Sequence, residues 1–84
     1  MLVFSIVKIQ ITKLARDLSE IDLRRIFEKY GTVTECVLVM DEAKGTSKGF
    51  AFVTMPDEVQ GLKAISELNA KAINKVPVKV KRVG

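Results

Sequence analysis

The apolar period of this chain changes along its length in an order that few folds accommodate. From Val7, apolar Val7, Ile9 and Ile11 alternate with polar Lys8, Gln10 and Thr12, the two-residue period of a half-buried strand. "DLSEIDLRRIFEKYG" then turns to helical spacing, with Ile21, Leu23, Ile26, Phe27 and Tyr30 as its apolar stripe. Ser19 suits the N-cap, Glu20 and Asp22 put negative charge in the first turn, Leu18 can staple onto Leu23, and Gly31 suits the C-terminal cap. "TVTECVLVM" is β-branched and apolar and reads as a second strand, "DEAKGTSKG" carries the turn chemistry of a loop, and "SKGFAFVTM" alternates as a third strand. Pro56 and Asp57 open a second helix with Gly61, Ala64, Ile65 and Leu68 on its inner stripe. Gly61 costs that helix about 1 kcal/mol relative to Ala, so it marks close packing against the sheet. "NAKAINK" reads as a polar connector and "VPVKVKRV" as the final strand, with Val76, Val78 and Val80 inward and Lys79 and Lys81 outward. Pro77 cannot donate to a ladder, so it must face an open edge or sit at that strand's beginning.

The resulting order is strand, helix, strand, strand, helix, strand. Two split βαβ units of this kind give an α+β, ferredoxin-like sandwich, a four-stranded antiparallel sheet with both helices on one face. The other face is then bare, and alternation assigns to it Lys8, Gln10, Thr12, Glu35, Val37, Val39, Phe50, Phe52, Lys79 and Lys81. Phe50 and Phe52 share that face if Ala51 and Val53 line the core, and exposed aromatic area needs a reason.

Composition narrows the reasons. At 84 residues the chain is long enough for one hydrophobic core without disulfides or metals and too short for two ordinary domains, so residues 1–84 are read as one domain. Fourteen Lys and Arg against ten Asp and Glu give a net charge of +4, which favours an anionic partner. His is absent, which removes the usual general base and weighs against metal sites and against an enzyme. The single cysteine, Cys36, lies in an apolar run and reads as a small core residue rather than a reactive thiol. The opening "MLVFSIVKIQI" looks superficially like a secretion signal, but it lacks a basic leading region and a small-residue cleavage site, and it falls far short of the ~20 apolar residues of a membrane span. A cytoplasmic monomer without a cofactor, metal or membrane is expected.

"KGFAFVTM", Lys48 to Met55, resembles the octamer signature of the RNA-recognition motif, matching K/R-G-F/Y-G/A-F-V-x-F/Y at seven of eight places. Met55 departs from it, and its alternation puts it on the core side. "DLRRIFEKYG", "MDEAKGTSKGF" and "AISELN" also look like the family's first helix, second loop and second helix. The compact chain, without a Gly-rich or Arg/Ser-rich flank, is similar to the small single-motif proteins of bacteria, including cyanobacteria. The resemblance implies single-stranded RNA as partner, with Phe50 and Phe52 stacking on bases or packing on a ribose and Lys48 pairing with a phosphate. The companion hexamer position is held by "IQITKL", Ile9 to Leu14, where the family usually has an aromatic second and an asparagine fifth. Here those are Gln10 and Lys13, so one stacking ring is missing. Gln10 either hydrogen-bonds a base edge or is merely an exposed polar residue, and Lys13 can recover affinity through a phosphate.

Lys8, Lys79 and Lys81 are expected to border the RNA path along with Arg82, although edge-strand lysines also discourage aggregation. Lys44 is a weaker candidate, and Arg24, Arg25 and Lys29 read as the solvated side of the first helix. The rival to RNA binding is a protein-interaction domain on the same fold, which would be expected to lose the octamer rings and to expose an acidic or apolar helix face. With Gly84 closing the chain after the last strand, almost no tail is expected to cover the rings.

Overall fold

In a computed structural model, which describes residues 6–73 and 75–83, the strand β1 (Val7–Thr12) sits inside a four-stranded antiparallel sheet. Residues 1–5, 74 and 84 lie outside the description, and with them the start of the leader-like opening, Asn74 of the connector and the terminal Gly84. After β1 come α1 (Glu20–Glu28), β2 (Glu35–Asp41), β3 (Thr46–Met55), α2 (Glu58–Leu68), a short pair β4 (Ala72–Ile73) and β5 (Val76–Pro77), and β6 (Lys79–Val83). The sheet order is β2-β3-β1-β6, the ferredoxin-like arrangement that the element order implies. Val7, Ile9 and Ile11 of β1 and Ala51, Val53 and Met55 of β3 are fully buried against Leu23 and Phe27 of α1 and Ala64 and Leu68 of α2.

Each helix begins where its cap lies. The Ser19 hydroxyl accepts from the Asp22 N–H at 3.2 Å while the Asp22 carboxylate accepts from the Ser19 N–H, a capping box built with Asp. Asp57 caps α2 by accepting from the Gln60 N–H at 3.0 Å. A Cβ placed on Gly61 would lie 2.9 Å from Val7 Cβ, so the glycine does mark the closest approach of α2 to the sheet. α1 ends at Glu28 with Lys29 as its C-cap, two residues before Gly31. Ile21 is 65% exposed and does not belong to the buried stripe, because it lies on the opposite side of the helix from Leu23 and Phe27.

Both edges of the sheet are partly covered. The Glu20 carboxylate accepts from the Leu38 N–H of β2 at 3.1 Å, and the Asn69 amide oxygen accepts from the Val80 N–H of β6 at 3.1 Å. Two segments differ from the sequence reading. β3 begins at Thr46, inside the stretch read as loop, and the turn is confined to the residues before it, where Asp41 Oδ1 accepts from the Ala43 N–H and Gly45 takes a φ of +67°. The final strand is also shorter than "VPVKVKRV": Val76 and Pro77 pair instead with Ile73 and Ala72, and Val76 is only half-buried while Val78 and Val80 enter the core. Pro77 thereby sits outside the main sheet, where its missing donor costs nothing.

Candidate nucleic-acid interface

Register builds the open face row by row. On the strands in spatial order, Val37 stands opposite Phe52, Phe52 opposite Gln10, and Gln10 opposite Lys81. Strands about 4.8 Å apart make this a row about 14 Å long, with one ring, one amide and one cation side by side. A second row runs Glu35, Thr54, Lys8, Val83, and Thr12 pairs with Lys79 beyond the first. A groove of about 470 Å³ follows the β1–β6 border, lined by Gln10, Thr12, Lys79 and Lys81 among others.

β3 supplies the rings, and a bulge lies beside one of them. Between the pairs Leu38–Ala51 and Met40–Ser47, Val39 of β2 faces Lys48, Gly49 and Phe50 of β3. Gly49 has a φ of +85°, its N–H donates to Ser47 Oγ at 2.9 Å, and its carbonyl accepts from the Leu14 N–H at 2.8 Å. Glycine suits that conformation and that approach best, because an added Cβ would be strained at this φ and would lie a tight 3.3 Å from the Leu14 carbonyl oxygen. The octamer's glycine is thus a backbone device that ties β3 to the end of β1. Lys13 at that end has a φ of +62°, so the chain turns away through an exposed lysine.

Phe52 is 37% exposed and Phe50 is half-buried. Their centroids lie 6.3 Å apart with the planes at 89°, an edge-to-face pair. Two perpendicular rings cannot carry one continuous stack of parallel bases, so each ring can meet a different part of a strand, one by its face and one against a base edge or a sugar.

Charge is divided between the two sides. The described ion pairs are Arg24–Glu28, Lys63–Glu67 and Arg82–Glu58, all involving helix carboxylates. Among the described residues none of Lys8, Lys13, Lys48, Lys79 and Lys81 takes part in one, and all five are exposed. Arg82 is a correction to the sequence reading: it stands opposite Ile9, on the helix side, and its guanidinium meets Glu58 at 3.4 Å. The structure therefore gathers Lys8, Gln10, Phe50, Phe52, Lys79 and Lys81 on one face, puts Lys48 and Lys13 at its margin near the Gly49 bulge, and leaves Arg82 behind it. Glu35, which alternation had already placed on this face without a role, stands there opposite Thr54, which joins the face through register.

Cys36 is buried on the opposite side of β2, and burial, helped by the charges of Glu20 and Glu28 against that of Arg24, pushes its thiol up from 9.0 to about 11. At neutral pH such a thiol is protonated and inert.

The likeness to known proteins extends beyond the octamer. Zinc finger CCCH domain-containing protein 42 of Arabidopsis thaliana is 35% identical over 68 residues, covering 81% of this chain and 19% of that protein. RNA-binding protein lark of Drosophila melanogaster is 44% identical over 59 residues, covering 70% of this chain and 14% of that protein. The chain thus spans less than a fifth of the length of these two relatives. Among solved structures, the crystal structure of RNA Binding Protein PG1 superposes with a TM-score of 0.87 at 32% identity, covering 92% of this chain and 93% of that one. The Sxl-lethal protein/RNA complex superposes with a TM-score of 0.87 at 26% identity, over 95% of this chain and 48% of that one. Residues 9–79, from within β1 to the first residue of β6, match the RNA recognition motif, and the chain belongs to that family.

Proposed function

We propose that this chain binds short single-stranded RNA across the open face of its sheet, without catalysis. The observation that carries the reading is the placement of both octamer rings, Phe50 and Phe52, on the side away from the helices, beside lysines that make no ion pair among the described residues. Unstacked bases offer π-faces whatever their sequence, and phosphates offer the charge those lysines lack as partners. In this reading Phe52 takes a base by its face and Phe50 the neighbouring base or ribose. Lys8, Lys13, Lys48, Lys79 and Lys81 meet phosphates, and Gln10 hydrogen-bonds a base edge in the place where other members carry a ring. The RNA-bound structural neighbour supports the partner class, and the matching octamer supports the residues.

A protein-interaction domain is the second reading, favoured by the exposed Val59 (77%) and Leu62 (42%), neighbours on α2. NMR shift mapping with a pool of short single-stranded RNAs separates the two. RNA-dependent shifts centred on β1 and β3 are expected. An absence of shifts, or shifts centred on the helices, would reject the platform.

A further inference from the structure

Stacking on a phenylalanine reads no sequence, and lysines on phosphates read none either. The open face has one feature that a surface built only for phosphates should avoid, the carboxylate of Glu35. This residue is exposed at the start of β2 and takes part in no ion pair among the described residues. Its row runs Glu35, Thr54, Lys8, so a carboxylate and an ammonium stand about 10 Å apart at their Cα atoms, with a short hydroxyl side chain between them. Over this row lies a hollow of about 280 Å³ lined by Lys8, Glu35, Val37, Phe52, Thr54 and Val83. Its size is at the low end for small-ligand sites, which suits one base rather than two. An aromatic ring and two valines give it apolar walls, and the two charges give it a donor side and an acceptor side.

The four bases differ in what they bring to such a pair. A carboxylate has two acceptor oxygens and no donor, while an ammonium has three donors and no acceptor. Guanine carries adjacent N1–H and N2–H donors for the carboxylate, and its O6 and N7 are the acceptors that lysine takes. Adenine and cytosine each set a ring-nitrogen lone pair beside their amino group, which one carboxylate oxygen would have to face. Uracil flanks its single N3–H with two carbonyl oxygens, both repelled by the carboxylate. Only guanine satisfies both sides at once. Resting on the reading that the open face binds RNA, we propose that the hollow between Glu35 and Lys8 is a subsite for one guanine, with Glu35 accepting from N1–H and N2–H and Lys8 donating to O6 or N7.

The test is fluorescence anisotropy of the chain with short labelled oligouridylates carrying one central guanosine, adenosine, cytidine or inosine. The guanosine oligomer is expected to bind about tenfold more tightly than the adenosine oligomer, the selectivity of a good bidentate contact. Inosine, which lacks the N2 amino group, is expected to fall between them. Glu35→Gln is expected to narrow the guanosine-to-adenosine ratio to about threefold or less, since its amide offers one acceptor in place of two. Oligomers that bind with equal affinity, or a guanosine preference that survives Glu35→Gln undiminished, would overturn the subsite and leave the RNA platform standing. Failure of every oligomer to bind would overturn the platform, and the subsite with it.

Discussion

Alternate residues of β3 meet opposite environments, and the assignment inverts what size alone would predict. Ala51 and Val53, small side chains, are fully buried, whereas Phe50 and Phe52 between and beside them stay partly in water. A strand built only for stability would bury its largest apolar groups, since burial of a phenylalanine stabilises far more than burial of an alanine. In this fold the space under the sheet is already filled by Phe27 and Leu23 of α1, both fully buried, and a strand with a period of two has no intermediate choice. The helix side of β3 is set by packing and the open side by something else. RNA stacking is what the open side is suited to.

The difference between the two faces can be broken most severely on the core side. Ile9→Ala should lower unfolding free energy by about 2–5 kcal/mol, the range for large-to-small core changes, while Gln10→Ala, its neighbour on the open face, should stay within about 0.5 kcal/mol. Urea unfolding of both variants checks this, and equal losses would show that the faces are not distinct. The bulge that links the faces comes next. Gly49→Ala forces a Cβ into a left-handed conformation, at a cost of about 1–2 kcal/mol. Because Phe50 directly follows Gly49 in the bulge, this variant should also bind RNA more weakly, a loss that a purely structural glycine would not give once the protein is shown to be folded.

Charge sharpens the comparison with smaller effects. Each phosphate neutralised on a single strand contributes about −0.7 to the slope of log affinity against log salt, so Lys48→Gln and Lys81→Gln should each flatten the slope by about that much. Arg24→Gln should leave the slope unchanged, and so should Arg82→Gln, since Arg82 faces α2 and Glu58. A flattened slope for Arg82→Gln would put the RNA path over the β6 edge. Cys36 is read out only at alkaline pH. Its folded pKa lies above the ordinary value, so the protonated thiol is the form favoured by folding. That stabilisation is complete below pH 9 and is lost as pH rises from 9.0 towards about 11, which alkaline melting curves would show. Thiol reagents should label Cys36 slowly in the native protein and quickly in denaturant.

Local signals in the sequence carried most of the architecture. Ser19, Asp57 and Gly61 each mark a feature governed by residues within a turn of helix or by one close contact, and the structure bears them out. The ring-bearing face followed from alternation alone. Ile21 was misplaced by two-residue spacing that does not suit a helical stripe, and the alternation that sent Lys79 and Lys81 outward already put Arg82 on the other side. The pairing of Ala72–Ile73 with Val76–Pro77 leaves no periodic trace, because two residues cannot display a period. The Gly49 bulge and the juxtaposition of Glu35 with Lys8 depend on register between strands distant in sequence. A run of residues on one strand carries no information about which residue of the next strand stands opposite.

The central claim is that the phenylalanines left out of the core are there for RNA, and it is tested most directly by titrating Phe50→Ala and Phe52→Ala with short single-stranded RNA while recording their melting curves. Each substitution should weaken binding by about 1–3 kcal/mol, the contribution of one base stacked on one ring, with the native fold retained. Affinity equal to the parent's in either variant, or loss of the folded state, would contradict it.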